Sequence, residues 1–282
     1  MKTKETDTIE KVGDDLIQHG KNSDRIYLMH CTKSDKKQLL HYLNKLGKDQ
    51  NYSKIIAKVP ESLETAFIKD GYCEEAQIPS FYSGEETCKL MGKYLLPERQ
   101  KVKDKQQIKK VIEHVSARSH INRIKPLADE FEIKRLTEAD ALEIAFLYKK
   151  VFESYPFPIF EPNYLNDTMK DNIKYFGAFF EKQLIAVSSS EMDLDNLNSE
   201  MTDFAVLPEF RGHQLAYHLL TKMESEMVKD GFQVLYSIAR SASYGMNGCF
   251  AKSNYHFGGT LFNNTQISGS IESMNIWYKE LK

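Results

Sequence analysis

The stretch from Glu200 to Met227 constrains this chain more than any other, because its hydrophobic period changes across one short loop. Apolar and polar residues alternate from Glu200 to Val206 and the pattern stops at Pro208, which predicts a strand. Leu215, Leu219, Leu220, Met223 and Met227 then recur at helical spacing, which predicts an amphipathic helix. Where a tight loop feeds a helix, the first turn leaves N–H groups without intrahelical partners and carries the positive end of the macrodipole. Such a junction suits a phosphate. Arg211 adds a fixed cation and Gly212 lets the backbone come close to a ligand. Taken alone, the stretch reads equally as an ordinary β–α turn.

At 282 residues the chain is long for one domain and comfortable for two. Residues 1–24 are polar, with weak periodicity at Ile9, Val12, Leu16 and Ile17, and are expected to be partly ordered at best. Residues 25–97 read as an α/β unit. RIYLMHC is a strand, KKQLLHYLNKLGKD a helix ended by Gly47, SKIIAKVP a strand, ESLETAFIKDGY a helix and EEAQIPSFY a strand. Residues 85–126 are helical in composition, with a charged linker over 98–126 and a boundary at Pro126. A larger unit fills 127–282. Within it FEIKRL is a strand, and Thr137 caps a helix carrying Leu142, Ala145, Phe146, Tyr148 and Phe152. Ala66–Tyr72 echoes Cys249–Tyr255, so the first unit reads either as half of a duplicated module or as an unrelated cap.

Formal net charge is −2, which gives no general attraction to nucleic acid or to an anionic membrane. The basic run from Arg99 to Lys110 lacks interleaved aromatics and reads as a solvated connecting helix. No apolar run approaches a membrane span, and the start is polar. Cys31, Cys73, Cys88 and Cys249 lack metal-ligand spacing, so neither a zinc site nor a disulfide framework is expected, and the reducing cytoplasm is.

The Glu200–Met227 stretch resembles the acetyl-CoA signature of the GNAT N-acetyltransferases. Their pyrophosphate loop runs Arg/Gln-x-x-Gly-x-Gly/Ala after a strand that ends in a short apolar pair. Arg211 and Ala216 hold the outer positions and Ala205-Val206 the pair, while Gln214 replaces the middle glycine. The N-x-x-F-A-K-x-x-Y run from Asn247 to Tyr255 is similar to the family's second motif. The resemblance implies an α/β (α+β) class and a GNAT fold: a central mixed, mostly antiparallel sheet flanked by helices, preceded here by a smaller α/β domain. It implies acetyl-CoA as donor and no metal. The pyrophosphate falls to Arg211, Gly212, His213, Gln214, Leu215 and Ala216, and the pantetheine arm to the backbone of Phe204, Ala205 and Val206. Asn247 is expected on the cofactor, with helix capping as its alternative role.

Acetyl transfer to an amine requires an acceptor that loses its proton, and a lysine-type ammonium titrates near 10.4. Glu200, six residues before Val206, occupies the place of the catalytic glutamate in the histone-acetylating branch and is the candidate base. Asp203 has the opposite parity and is expected on the other face of the sheet. Many relatives place a proton-donating Tyr where this chain has Phe250, which leaves Tyr244 as the nearest hydroxyl.

The wording of EMTDFAVLPEFRG, YSIAR, FNNTQISG and ESMNIWYK, with GYCEEAQIP far upstream, is similar to the β-lysine N-acetyltransferases, which make a compatible solute in osmoadaptation. That resemblance implies a small-molecule amine substrate, β-lysine, with no nucleic-acid or membrane partner, and it admits a homodimer. β-Lysine has two ammonium groups and one carboxylate. Glu191, Asp203 and Glu200 are candidate anions for it, Arg240 the cation, and Asn263, Asn264 and Asn275 candidate amides. Two other readings stay open: acetylation of a polyamine or protein lysine, and a non-catalytic acyl-CoA-binding sensor.

Overall fold

The computed structural model describes residues 7–119, 124–267 and 269–281; the expectations for 1–6 and for 120–123 of the linker fall outside the described residues. The chain opens with β1 (Thr8–Val12), β2 (Asp15–Gly20) and β3 (Arg25–His30), then α1 (Lys37–Asp49) and β4 (Lys54–Pro60). A single 3₁₀ turn leads into α2 (Glu64–Lys69), followed by β5 (Cys73–Tyr82), β6 (Glu86–Tyr94), α3 (Pro97–Gln100) and α4 (Lys105–Ser116). Three expectations are corrected here. Residues 8–20 form a hairpin that the sequence concealed, because β1 is a mostly exposed edge and β2 buries Asp15 and Gln18 beside Ile17. Residues 86–94 are a buried strand rather than helix. Gly47 does not end α1 but lies within it, where a Cβ would meet Leu95 Cδ1 at 2.6 Å. The basic run is also not uniformly solvated: Arg99 is buried and donates to Asn263 O, Ser53 Oγ and Ser23 O.

After the linker come β7 (Phe131–Arg135), α5 (Ala141–Val151), α6 (Pro162–Asp171), β8 (Ile173–Phe180), β9 (Gln183–Asp193) and β10 (Asn198–Val206). Then follow α7 (Leu215–Lys229), β11 (Val234–Arg240), α8 (Tyr244–Lys252), β12 (His256–Ile267) and β13 (Ser270–Glu280). The expected Thr137–Asp140 capping box is present, but it caps the 3₁₀ turn Glu138–Asp140 that leads into α5 and not α5 itself, whose N-cap Asp140 makes no side-chain cap. Its buried face is Ile144, Ala145, Leu147 and Tyr148, while Leu142 and Phe146 point to solvent, so the expected stripe was rotated. The β8–β9 hairpin turns at Glu181-Lys182, both at positive φ.

All thirteen strands belong to one sheet, in the order β1-β2-β3-β4-β6-β5-β12-β13-β11-β10-β9-β8-β7. The order is nearly symmetric about the β5–β12 seam. On each side two strands run parallel, β3 with β4 and β10 with β11, and every other pairing is antiparallel. The sequence echo falls at matching places. Phe67 and Tyr72 meet edge-on at 5.1 Å and Phe250 and Tyr255 at 5.2 Å, and each tyrosine N–H donates to its phenylalanine's carbonyl at 3.1 Å. The first unit is continuous with the other through the shared sheet.

At the seam Gly259, at φ +137°, pairs with Ala76. A Cβ on Gly258 would meet Gln77 O at 2.4 Å, and one on Gly259 would meet Glu75 O at 2.5 Å, so glycine is what lets the halves close. Tyr27, Ile56, Ile78, Phe81, Tyr236, Leu261 and Ile276 form a buried apolar cluster with members from both halves.

Candidate active site

The junction from β10 to α7 is built as its sequence demands. Leu215, Leu219, Leu220, Met223 and Met227 are buried, which fixes α7 on the sheet with its first turn beside the end of β10. Gly212 takes φ +93° and a Cβ there would touch nothing within 4 Å. Gln214 adopts the left-handed conformation that the family's glycine would take, at a cost of roughly 1–2 kcal/mol for a side-chain-bearing residue. Its amide oxygen accepts from Lys125 N at 3.0 Å, so the side chain is drawn toward the linker. Arg211 is exposed, and the N–H groups of Gly212, His213, Leu215 and Ala216 meet no backbone acceptor among the described residues. These donors suit a diphosphate.

Upstream, β10 is open along one edge. Its pairing with β9 continues through Ala205 and Val206, whereas its parallel pairing with β11 stops after Glu200. From Thr202 onward the two strands splay, and a groove of about 100 Å³ lies between Thr202, Asp203 and Phe204 on one side and Ser237 to Arg240 on the other. An extended pantetheine arm fits such an unpaired edge as an added strand. A bulge between Thr202 and Ala205 carries Asp203 at φ +56°. That extra residue defeats the parity argument: Glu200, Thr202 and Asp203 all line one cavity of about 360 Å³ on the same side of the sheet.

The cavity is strongly ionic. Glu191, Glu200 and Asp203 line it from β9 and β10, Asp171 from the end of α6, and Arg25 and Lys58 from β3 and β4 of the first half. Burial pushes the Glu200 carboxyl up to about 7; Lys58 and the Tyr236 hydroxyl pull it down, while Glu191 and Asp203 repel its charge. Burial likewise raises Glu191 and Asp203. Asp203 accepts from Ser189 Oγ at 2.6 Å and from the Tyr155 hydroxyl. Lys58 Nζ donates to Tyr236 OH at 2.8 Å and lies 5.0 Å from the centre of that ring. Burial works against the Lys58 charge, but Tyr236, Tyr27 and Glu200 outweigh it and raise its affinity for a proton.

Five expected residues are placed otherwise. Arg240 forms a two-bond ion pair with Glu272, at 2.8 and 2.6 Å, and borders the groove instead of the cavity. Asn247 is fully buried: its amide donates to Arg240 O and Ser243 O, and its oxygen accepts from Asn275 and Trp277. It ties the start of α8 to the sheet and has no polar atom left for a ligand. Asn275 is equally committed, to Asn247 and Thr260. Tyr244 leans on His114 of α4, 5.3 Å between rings, and lines neither groove nor cavity. Asn263 holds the linker through Arg99 O.

In their place stand residues that sequence reasoning missed. Tyr155 lines both groove and cavity, and burial followed by the Asp203 charge keeps its hydroxyl protonated. Lys58 did carry a signal, since a lysine set between the apolar run Ile55-Ile56-Ala57 and Val59 inside KIIAKVP is an unusual occupant of a buried strand.

Residues 139–255 match the model of the acetyltransferase (GNAT) family. The chain is 38% identical over 271 residues to the "Beta-lysine N(6)-acetyltransferase" of Methanococcus maripaludis, covering 96% of this chain and 98% of that one. It is 34% identical to "N-acetyltransferase YodP" of Bacillus subtilis, covering 83% of this chain and 85% of the relative. The "Beta-lysine N(6)-acetyltransferase" of Methanosarcina mazei is 29% identical, with 85% and 95% covered.

Proposed function

We propose, from the premise that this chain belongs to the acetyltransferase (GNAT) family and is an N-acetyltransferase, that it moves the acetyl group of acetyl-CoA onto the terminal amine of β-lysine. The observation that carries this reading is the charge inventory of the cavity beside Glu200: four carboxylates, Asp171, Glu191, Glu200 and Asp203, outnumber two cations, Arg25 and Lys58, a net-anionic pocket suited to a substrate with two ammonium groups and one carboxylate. The names of two long-range relatives support the same substrate. The product keeps one ammonium and one carboxylate, the net-neutral state expected of a compatible solute.

The donor fits the residues present. Arg211 and the amides from Gly212 to Ala216 would hold the diphosphate, and the splayed edge of β10 would hold the arm, presenting a thioester at the mouth of the cavity. Glu200 takes a proton from the acceptor ammonium, directly or through water. The amine nitrogen then bonds to the acetyl carbon as the carbon–sulfur bond breaks. Tyr155, at the junction of groove and cavity, gives its proton to the departing sulfur and recovers one from the acceptor side.

The test is a mixture of protein, acetyl-CoA and β-lysine, followed by thiol release and mass spectrometry of the product. One added acetyl on the terminal nitrogen is the expected result. Faster thiol release with spermidine or a lysine peptide would overturn the substrate, and tight acetyl-CoA binding without thiol release under any amine would overturn the chemistry.

A further inference from the structure

The first half of the chain has no role in the chemistry above, yet its strands β1 to β4 all line the acceptor cavity. Arg25 of β3 is 5% exposed and borders that cavity. Its Nη1 donates to Asn264 O at 3.0 Å and Thr265 Oγ1 at 2.7 Å on β12. Those bonds fix the guanidinium by one corner. Its Nε is buried with no hydrogen-bond partner, and the Asp7 carboxylate, which acts on its charge, accepts no hydrogen bond from it among the described residues. The neighbouring Tyr27 hydroxyl and the Asn264 side-chain oxygen, both on residues lining the same cavity, are also buried without partners. The Tyr27 ring packs 5.1 Å from the Arg25 guanidinium and 5.6 Å from Lys58 Nζ. A pinned guanidinium whose Nε is left unsatisfied, with a hydroxyl donor and an amide oxygen left unsatisfied in one wall, is costly to bury unless something polar meets these groups.

We infer that the first half contributes a carboxylate-binding subsite to the acceptor pocket, with Arg25 as its centre, Tyr27 as a second donor, and Thr265 as the residue that positions Arg25. This rests on the reading of that cavity as the acceptor site. The ligand class is an amino acid whose reacting amine lies at the far end from its carboxylate. The carboxylate docks on the first half, and the distal amine meets Glu200 of the second. Lys58, held to Tyr236 and close to Glu200 in charge, balances the acidic end. The pocket thus selects by the distance between two charges, each supplied by a different half of the chain.

The test compares matched acceptors that differ only by the carboxylate: β-lysine with 1,4-diaminopentane, lysine with 1,5-diaminopentane, ornithine with 1,4-diaminobutane. For the best pair, kcat/KM should favour the amino acid by roughly 100-fold, the worth of a charged hydrogen-bonded contact. Arg25→Gln should bring that ratio close to 1, and Thr265→Val should bring it part of the way, chiefly through KM for the amino acid. A wild-type ratio near 1, or a ratio unmoved in every variant that folds, overturns the subsite. Should lysine outrun β-lysine while its ratio still collapses in Arg25→Gln, the substrate named above falls and the subsite stands. Should no amine release thiol, calorimetric titration with the same pairs reads binding alone, and equal affinities overturn the inference.

Discussion

The two halves of this molecule repeat one junction, a strand feeding a helix through a short loop, and they finish it in opposite ways. Between β10 and α7 the donors are left facing outward: Arg211 is exposed and Gly212 has open space where a side chain would go. Between β3 and α1 the corresponding loop is satisfied from within. Asp15 accepts from Thr32 N at 2.7 Å and Thr32 Oγ1 at 3.0 Å, and Lys36 Nζ binds both of its oxygens at 2.8 Å. An internal carboxylate is placed against the very kind of donors that the other half leaves facing outward. A fold element thus becomes a ligand site only when its own chain declines to complete it.

That contrast can be broken by separating chemistry from stability. The largest effect is expected at the open side. Glu200→Gln should lower kcat/KM by roughly 10²- to 10⁴-fold with the unfolding midpoint little changed. Because the Glu200 carboxyl is raised to about 7 and must be ionised to accept a proton, the wild-type rate should fall about tenfold per pH unit below that value and level off above it. Initial rates across the range would check this, and a flat profile would remove Glu200 as base. At the closed side, Asp15→Ala strands the buried Lys36 ammonium and should cost about 3–5 kcal/mol in denaturant unfolding, with the KM for acetyl-CoA unaltered. Arg211→Ala should do the reverse, raising that KM roughly 10- to 100-fold while the melting curve holds. The finest test is between two hydroxyls: Tyr155→Phe should slow turnover by about tenfold or more, and Tyr244→Phe should change it by less than about twofold. Equal losses in both would erase the assignment of the proton donor.

How far the sequence could be read follows the same division. The second half was legible because its signals are local: the period change at Pro208, the stripe on α7, the Thr137–Asp140 cap and the Glu181-Lys182 turn each lie within a few residues. The site was less so, because its partnerships are distant. Arg240 looks like an uncommitted cation until β11 and β13 pair and bring Glu272 to it. Asn247 has the right place in the motif, but its oxygen is claimed by Asn275 and Trp277. Strand parity placed Asp203 on the wrong face because a bulge adds a residue that alternation cannot register. Gly47 suggested a helix end when close packing against Leu95 was its purpose. The first half's hairpin and the strand at 86–94 were hidden by buried charge, since Asp15 and Lys89 look like surface residues until their partners Lys36 and Glu74 are found.

The seam where Gly259 meets Ala76 has a practical consequence for anyone trimming the gene. A fragment starting near residue 127 would retain every segment matched by the family model, and so looks like a minimal enzyme. It would also strip β5 from β12, baring a row of amide and carbonyl groups beside Leu261 and Ile276 that is prone to recruit strands from other molecules. Such a product should precipitate, and glycines at 258 and 259 would leave no side chain there to guard it.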